Sequence, residues 1–279
     1  MKKKILCAVC AVLVLCALCV PAFAESEATV YVTISSGKLE LARKPVTLSD
    51  ADGNGALTVN DVLILAHNAE YPGGAEAGYS SVEGDYGLSI TKLWGIENGS
   101  GYGYYVNNAA AFSLTDAVSA GDSIAAFVYT DTTAFSDAYS FFDKDSISGK
   151  AGESVELCLS AAGYDENWAP VTLPVEGAVI TIDGVDTGVV TDAEGKAVVE
   201  LSGQGTVVIS ARSETSVLVP PVCIAELEAE EASGEASDGA ADDAGKERDN
   251  GWVLWVAVGA VVVCVAVAVF ALAKRKNEK

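Results

Sequence analysis

The sequence predicts a mainly β protein: an α+β first domain with one short helix, then an all-β sandwich, plus one C-terminal transmembrane helix. Three observations carry that expectation. Most apolar residues fall in short alternating or β-branched runs, separated by Gly, Asp and Asn turns. Within the folded middle, helix-like spacing is confined to one short stretch, Val62 to Ala69. The long apolar run from Trp252 to Ala273 carries no polar face and is long enough to cross a hydrocarbon core of about 30 Å.

Taken in order, Lys2, Lys3 and Lys4 precede an apolar run from Ile5 to Val20, and Pro21-Ala22-Phe23-Ala24 offers an A-x-A cleavage site. Residues 1–24 therefore read as a secretory signal peptide. The residues before Cys7, Cys10, Cys16 and Cys19 are not the small type that lipoprotein processing requires, which argues against a lipid anchor. The first domain is expected over 28–144. Thr29 to Ile34 and Lys38 to Ala42 alternate like strands around the turn Ser35-Ser36-Gly37. A polar loop at 50–61 leads into the helix, which Tyr71-Pro72-Gly73-Gly74 should stop. Strands follow at Ile90 to Leu93, Tyr102 to Val106 and Ser123 to Tyr129, with Asn107-Asn108 as a hairpin turn.

The second domain, 145–225, carries strand-like runs at Ser154 to Ser160, Ala178 to Ile182, Thr187 to Val190, Ala197 to Leu201 and Thr206 to Ala211. Asp183-Gly184 and Asp192-Ala193-Glu194-Gly195 supply turns at the close spacing of a small sandwich. Residues 226–251 are rich in Glu, Asp, Ala, Ser and Gly and too poor in apolar side chains to form a core, so they read as an acidic disordered stalk. Trp252 and Trp255 mark the outer edge of the membrane span at 252–273. The basic tail 274–279 places the C-terminus in the cytoplasm and the ectodomain outside the cell.

Net charge is −22, and the positive residues concentrate at the two ends, so the secreted part is more acidic still. Such a surface disfavours nucleic acid and anionic membrane and favours cations. Cys158 and Cys223 are the cysteines left in the ectodomain; an extracellular pair can be a disulfide or two buried thiols, and the sequence leaves both open.

The loop Asp50 to Asp61 reads D-A-D-G-N-G-A-L-T-V-N-D, with oxygen-bearing side chains at positions 1, 3, 5, 9 and 12 and glycine at 6. That is the spacing of an EF-hand calcium loop. Asp50, Asp52 and Asn54 would supply side-chain oxygens, Ala56 its carbonyl, Thr58 a direct or water-bridged contact, and Asp61 the closing carboxylate. The competing reading is an Asp/Gly turn entering a helix capped by Thr58 or Asn60.

Two resemblances follow from these residues. The string I-T-K-L-W-G-I-E-N-G-S-G-Y-G-Y-Y-V-N-N at 90–108, followed by Leu114-Thr115-Asp116 and Ala120-Gly121-Asp122-Ser123-Ile124, resembles a bacterial domain family related to the C-terminal domain of transcobalamin. The resemblance covers roughly residues 28–133 and departs at Asn108, where glycine is common. It implies a domain that can pack over cobalamin or another corrinoid. The calcium loop resembles a single dockerin repeat, implying a cohesin partner; Asp143-Lys144-Asp145 does not complete the second loop that dockerins carry. The segment 177–197 resembles Ig-like and collagen-adhesin-type surface modules, whose usual role is a rigid spacer.

No catalytic constellation emerges. His67 is the one histidine, with no nucleophile near it in sequence, and Asn98 to Gly103 has neither nucleophile-elbow nor dinucleotide spacing. Expected, then, is a membrane-anchored cell-surface binding or adhesion protein, not an enzyme, with a structural calcium site. Its partner would be an extracellular protein, a glycan or a small ligand; a corrinoid receptor and a cohesin-binding scaffold protein are the alternatives. Trp94, Tyr102, Tyr104 and Tyr105 form an aromatic hairpin that would either build the core or face a flat ligand.

Overall fold

A computed structural model describes residues 28–85 and 87–228. The expected signal peptide, the stalk beyond 228, the membrane span and the basic tail lie outside the described residues. Among the described residues, no helix is long and apolar enough to cross a membrane.

The first half begins with β1 (Thr29–Ser35) and β2 (Leu39–Thr47), an antiparallel pair. Helix α1 (Val59–Glu70) and a single short turn of helix, α2 (Gly74–Gly78), come next. A separate hairpin, β3 (Ser80–Gly84) with β4 (Gly87–Lys92), precedes β5 (Tyr102–Val106), β6 (Ala109–Ala110) and β7 (Ser123–Val128). The main sheet runs in the order β2-β1-β7-β5-β6, and β1 lies parallel to β7. Pro45 sits in edge strand β2, where its missing N–H costs no ladder bond. Asn107 and Asn108 both adopt positive φ, 51° and 63°, the geometry of the tight hairpin turn between β5 and β6. Asn108 therefore serves where glycine is common, and its Oδ1 accepts the Tyr139 hydroxyl at 2.9 Å.

Period-two alternation gives this sheet two buried faces. Val30, Val32 and Ile34 of β1, with Ile124 and Ala126 of β7, pack against Val59, Val62, Leu63 and Ala66 of α1. Helix α1 begins three residues before its apolar spacing because Thr58 caps it: the Thr58 hydroxyl accepts the Asp61 N–H, and the Asp61 carboxylate accepts the Thr58 N–H. On the opposite face, Phe127 joins a second cluster with Tyr139 and Val219, flanked by Tyr105, Tyr129 and Phe141.

The second half is a two-sheet sandwich. One sheet contains β8 (Ala138–Phe142), β10 (Ser154–Tyr164), β11 (Pro170–Pro174) and β16 (Leu218–Val219) in the order β11-β10-β8-β16, with β14 (Lys196–Glu200) also paired to β10. The other contains β9 (Ser146–Gly149), β12 (Val179–Ile182), β13 (Val185–Val190), β15 (Gly205–Arg212) and β17 (Cys223–Leu227) in the order β13-β12-β15-β17-β9. Leu157 and Leu159 of β10 face Ile180 of β12, Ile209 of β15 and Ala225 of β17 across the core.

Two expectations change here. Strand β8, placed in the first domain by the 28–144 division, hydrogen-bonds to β10 and β16 and so belongs to the sandwich. Glu226 and Leu227, assigned to the stalk, complete β17. Cys158 and Cys223 are free thiols; Cys223 is buried in the core, and burial raises its thiol pKa to about 12.

The halves are joined by more than chain connectivity. Tyr105 of β5 stacks on Tyr139 of β8 with ring centroids 3.7 Å apart. Beside this seam the Arg43 guanidinium lies 4.3 Å above the Tyr31 ring, pairs with Asp145 at 3.2 Å and donates to Ser123. The Arg43 side chain is mostly buried, whereas that of Asp145 is about half exposed.

Candidate metal centre

The loop at 50–61 is built by short-range hydrogen bonds before any cation is considered. Asp50 Oδ1 accepts the N–H groups of Gly53 and Asn54 at 2.8 and 3.0 Å, and Oδ2 accepts that of Gly55 at 2.9 Å. Gly55 has φ 84°, so the sharp turn expected at loop position 6 does need a residue without Cβ. Asp61 closes the loop from the first turn of α1: Oδ1 accepts the N–H of Ala51 and Asp52, while Oδ2 accepts the Thr58 N–H and hydroxyl. Burial pushes the Asp61 carboxyl up, but the Thr58 hydroxyl and the three backbone donors outweigh it and hold the group below the ordinary carboxylate range.

Asp50, Asp52 and Asp61 converge, with carboxylate oxygens within 4.8 Å of one another. Two oxygens that share a calcium ion at about 2.3–2.6 Å can be no further apart than about 5 Å, so the three carboxylates fit one hard cation. Asp50 and Asp52 are exposed and open to solvent, whereas Asp61 is fully buried. Asn54 stands on the same loop, its Oδ1 accepting the Ala56 N–H and its amide donating to Asp52. Ala56 is exposed. Thr58, expected as a direct or water-bridged ligand, is engaged within the protein. Its side chain is buried as the helix cap and donates to Asp61, because a hydroxyl facing the first turn satisfies an otherwise orphaned backbone donor.

One contributor escaped the spacing argument. Asn60 is buried, and its amide donates to Asp52 Oδ2 at 2.8 Å; its Oδ1 accepts the Tyr79 hydroxyl at 2.8 Å and the Ser81 hydroxyl at 3.2 Å. The loop is thereby tied to the core beneath α1. Its position, one before the closing acid, was visible in sequence; its orientation depends on Tyr79, which only the fold brings near.

His67 is buried about two turns further along α1. Its Nδ1 lies 2.6 Å from the Leu63 carbonyl, and its Nε2 accepts the Trp94 N–H at 3.1 Å. These partners require the neutral ring with its proton on Nδ1. Burial lowers the His67 pKa below 6.5, partly opposed by the Leu63 carbonyl. The unfolded state therefore binds more protons than the folded one as pH falls below about 6.5, and stability declines in that window. Urea midpoints measured at pH 7.5 and pH 5.5 should show the lower value at pH 5.5. An unchanged midpoint would contradict the buried neutral assignment.

The aromatic hairpin is used internally. Trp94, Tyr102 and Tyr104 are half-buried against the core beneath α1, and Tyr105 lies in the seam on the other face. The Tyr102 hydroxyl donates toward the carbonyls of Thr91 and Ile96 and accepts the Asn98 N–H, pinning the turn. The four residues do not form one exposed platform.

No family model matches this chain, and no curated protein does. Among the solved structures that match are two N-terminal four-Ig-domain structures of Dscam1. Isoform 9.44 is 15% identical over 54% of this chain and 36% of that chain, with a TM-score of 0.19. Isoform 4.44 is 12% identical over 74% and 45%, with a TM-score of 0.20. This chain thus spans less than half the length of either structure, and superposition at that level does not establish a shared fold. The transcobalamin-like and dockerin-like resemblances gain no support from these comparisons.

Proposed function

We propose that the protein is a non-catalytic cell-surface binding or adhesion protein, anchored by its C-terminal span, whose first half is stabilised by calcium at Asp50, Asp52 and Asp61. The convergence of three carboxylates on one point, at the spacing of a calcium loop, is the observation that carries the metal assignment. Asp50 and Asp52 can turn their exposed oxygens toward the ion, with Asn54 and the Ala56 carbonyl completing a set of hard donors. Calcium would replace loop N–H groups as the counter-charge to the carboxylates and lock the entry to α1. A structural role accords with the loop's place at the entry to α1, and the single histidine is engaged at both ring nitrogens. The apolar ends of the sequence and the acidic 226–251 segment support surface anchoring, with the ectodomain outside the cell.

If Kd lies near 10⁻⁴ M at about 1 mM calcium, binding adds about 1.4 kcal/mol to folding stability. Melting of the full chain should therefore rise on adding calcium and fall back with a chelator. Asp52→Ala should abolish that rise while leaving the chelated protein folded. Identical melting with calcium and chelator would reject the metal assignment, and an equal rise in Asp52→Ala would place the ion elsewhere.

A further inference from the structure

The aromatic seam between the two halves does not end in the interior. Tyr129, half-buried in the seam, meets Phe135 edge-on at 5.2 Å, and Phe135 is 45% exposed. Ala162 of β10 packs against the seam, and β10 runs antiparallel to β8 with Ala161 opposite Ser140, so its end at Tyr164 comes level with the turn that precedes β8. Tyr164 is 59% exposed and pairs with Trp168, 81% exposed, at 6.2 Å and 46°. The seam thus opens at its rim into an aromatic patch that water covers.

Both exposed tips are held rather than loose. Asp165 Oδ1 accepts the N–H groups of Asn167 and Ala169 at 2.8 and 2.9 Å, and the Trp168 N–H donates to the Asp165 carbonyl, fixing Trp168 at φ 62°. The Phe135 turn repeats the device. Asp131 accepts from Thr133, Ala134 and Ser136, the Phe135 N–H donates to the Asp131 carbonyl, and Phe135 sits at φ 51°. A bulky residue at positive φ is strained, and two such residues presenting apolar rings to water need a stated use. The carboxylates beside them stay ionised: backbone donors lower the pKa of Asp165, and those of Ala134 and Thr133 with the Ser136 hydroxyl lower that of Asp131 to about 2. Glu166, exposed in the same turn, adds a third acid.

We propose that this rim, Tyr164 and Trp168 with Asp165 and Glu166 and the neighbouring Phe135 turn with Asp131, is a docking site for a basic peptide segment, whose arginine or lysine side chains lie over the aromatic rings. A cation attracts an aromatic face within about 6 Å of its centroid, and carboxylates alongside add charge complementarity. A chain of net charge −22 repels acidic partners and attracts basic ones at long range. The aromatic rim then converts a general attraction into a located contact. The inference rests on the binding-protein reading above and is independent of the metal.

The test uses the full chain, in chelator, at about 0.15 M salt so that long-range attraction is screened beyond about 8 Å. A fluorescent arginine–glycine repeat peptide is titrated in parallel with a citrulline–glycine peptide of equal length and a neutral glucose oligosaccharide. The arginine peptide should bind and the citrulline peptide should not. Trp168→Ala, which removes an exposed side chain without altering charge or core, should weaken binding by roughly threefold to thirtyfold. Equal binding by Trp168→Ala and Tyr164→Ala would reduce the effect to bulk acidity and overturn the site. Binding of the oligosaccharide in place of the arginine peptide would overturn the cationic partner while keeping a binding function. Binding of none of the three by folded protein would overturn the rim as a docking surface.

Discussion

Asp61→Ala should lower stability by about 3 kcal/mol in chelator and, in addition, erase any response to calcium. The two effects have separate causes. The carboxylate is fully buried and accepts four hydrogen bonds, from the N–H groups of Ala51, Asp52 and Thr58 and from the Thr58 hydroxyl. Removing it leaves buried Thr58 without its reciprocal partner and undoes half of the capping box. Each lost charge-assisted bond in a dry setting is worth more than a neutral one, although the losses do not add fully. Asp52→Ala is the contrast: Asp52 is exposed, so its loss should remove the calcium increment and cost only the smaller share carried by the Asn60 amide bond in chelator. A urea midpoint for Asp61→Ala within about 0.5 kcal/mol of wild type would show that the buried carboxylate is not the keystone of the loop. Acidification probes the same group from another side. A carboxyl held low in the folded state contributes stability above its unfolded pKa, and that stability fades as pH falls toward the folded value. That acid window lies well below the one set by His67.

Phe127→Ala should be the most damaging core substitution, at about 3–5 kcal/mol, and should destabilise both halves in one transition. Phe127 is 1% exposed and sits on β7, yet its ring faces away from α1 toward the sandwich. It stacks with Tyr105 and Tyr139 at 6.2 Å each and meets Tyr129 edge-on at 4.9 Å. Gly103 on neighbouring β5 has no room for a Cβ because the Phe127 ring occupies that space. The cavity left by truncation would therefore open between the halves, where strands on both sides lose packing. Tryptophan fluorescence and far-UV circular dichroism should report coincident, lowered midpoints. Two separated transitions, with one half unmoved, would show that the seam carries little energy.

Much of the fold was legible because its signals are local. The alternation in Thr29 to Ile34 and in Ala197 to Leu201, and the turns Asn107-Asn108 and Asp183-Gly184, depend on period-two burial and φ preferences that neighbouring residues reveal. The carboxylates at 50, 52 and 61 were legible for the same reason, since one loop brings them together. Partner choice was not. Ala138 to Phe142 carried no strand expectation, and nothing near it says that it pairs with β10 instead of joining the first sheet. Tyr105 could build the core or face a ligand by sequence, and only the sandwich that covers its face places it and Phe127 in a seam. Thr58 could be a ligand or a cap by spacing alone, and the fold shows it capping α1.

Two of the parallel pairings have a mechanical meaning. Strand β1 opens the described chain and runs parallel to β7, while β17 closes it and runs parallel to β9. A tension applied between residues 28 and 228 would drag β1 by its leading end against β7, and β17 by its trailing end against β9. In both places the force runs along the strands and across the hydrogen bonds. The bonds of each ladder share the load together and cannot be peeled one at a time. Each end of the described segment is thus fastened as a lap joint, and rupture under tension requires a whole ladder to slide at once.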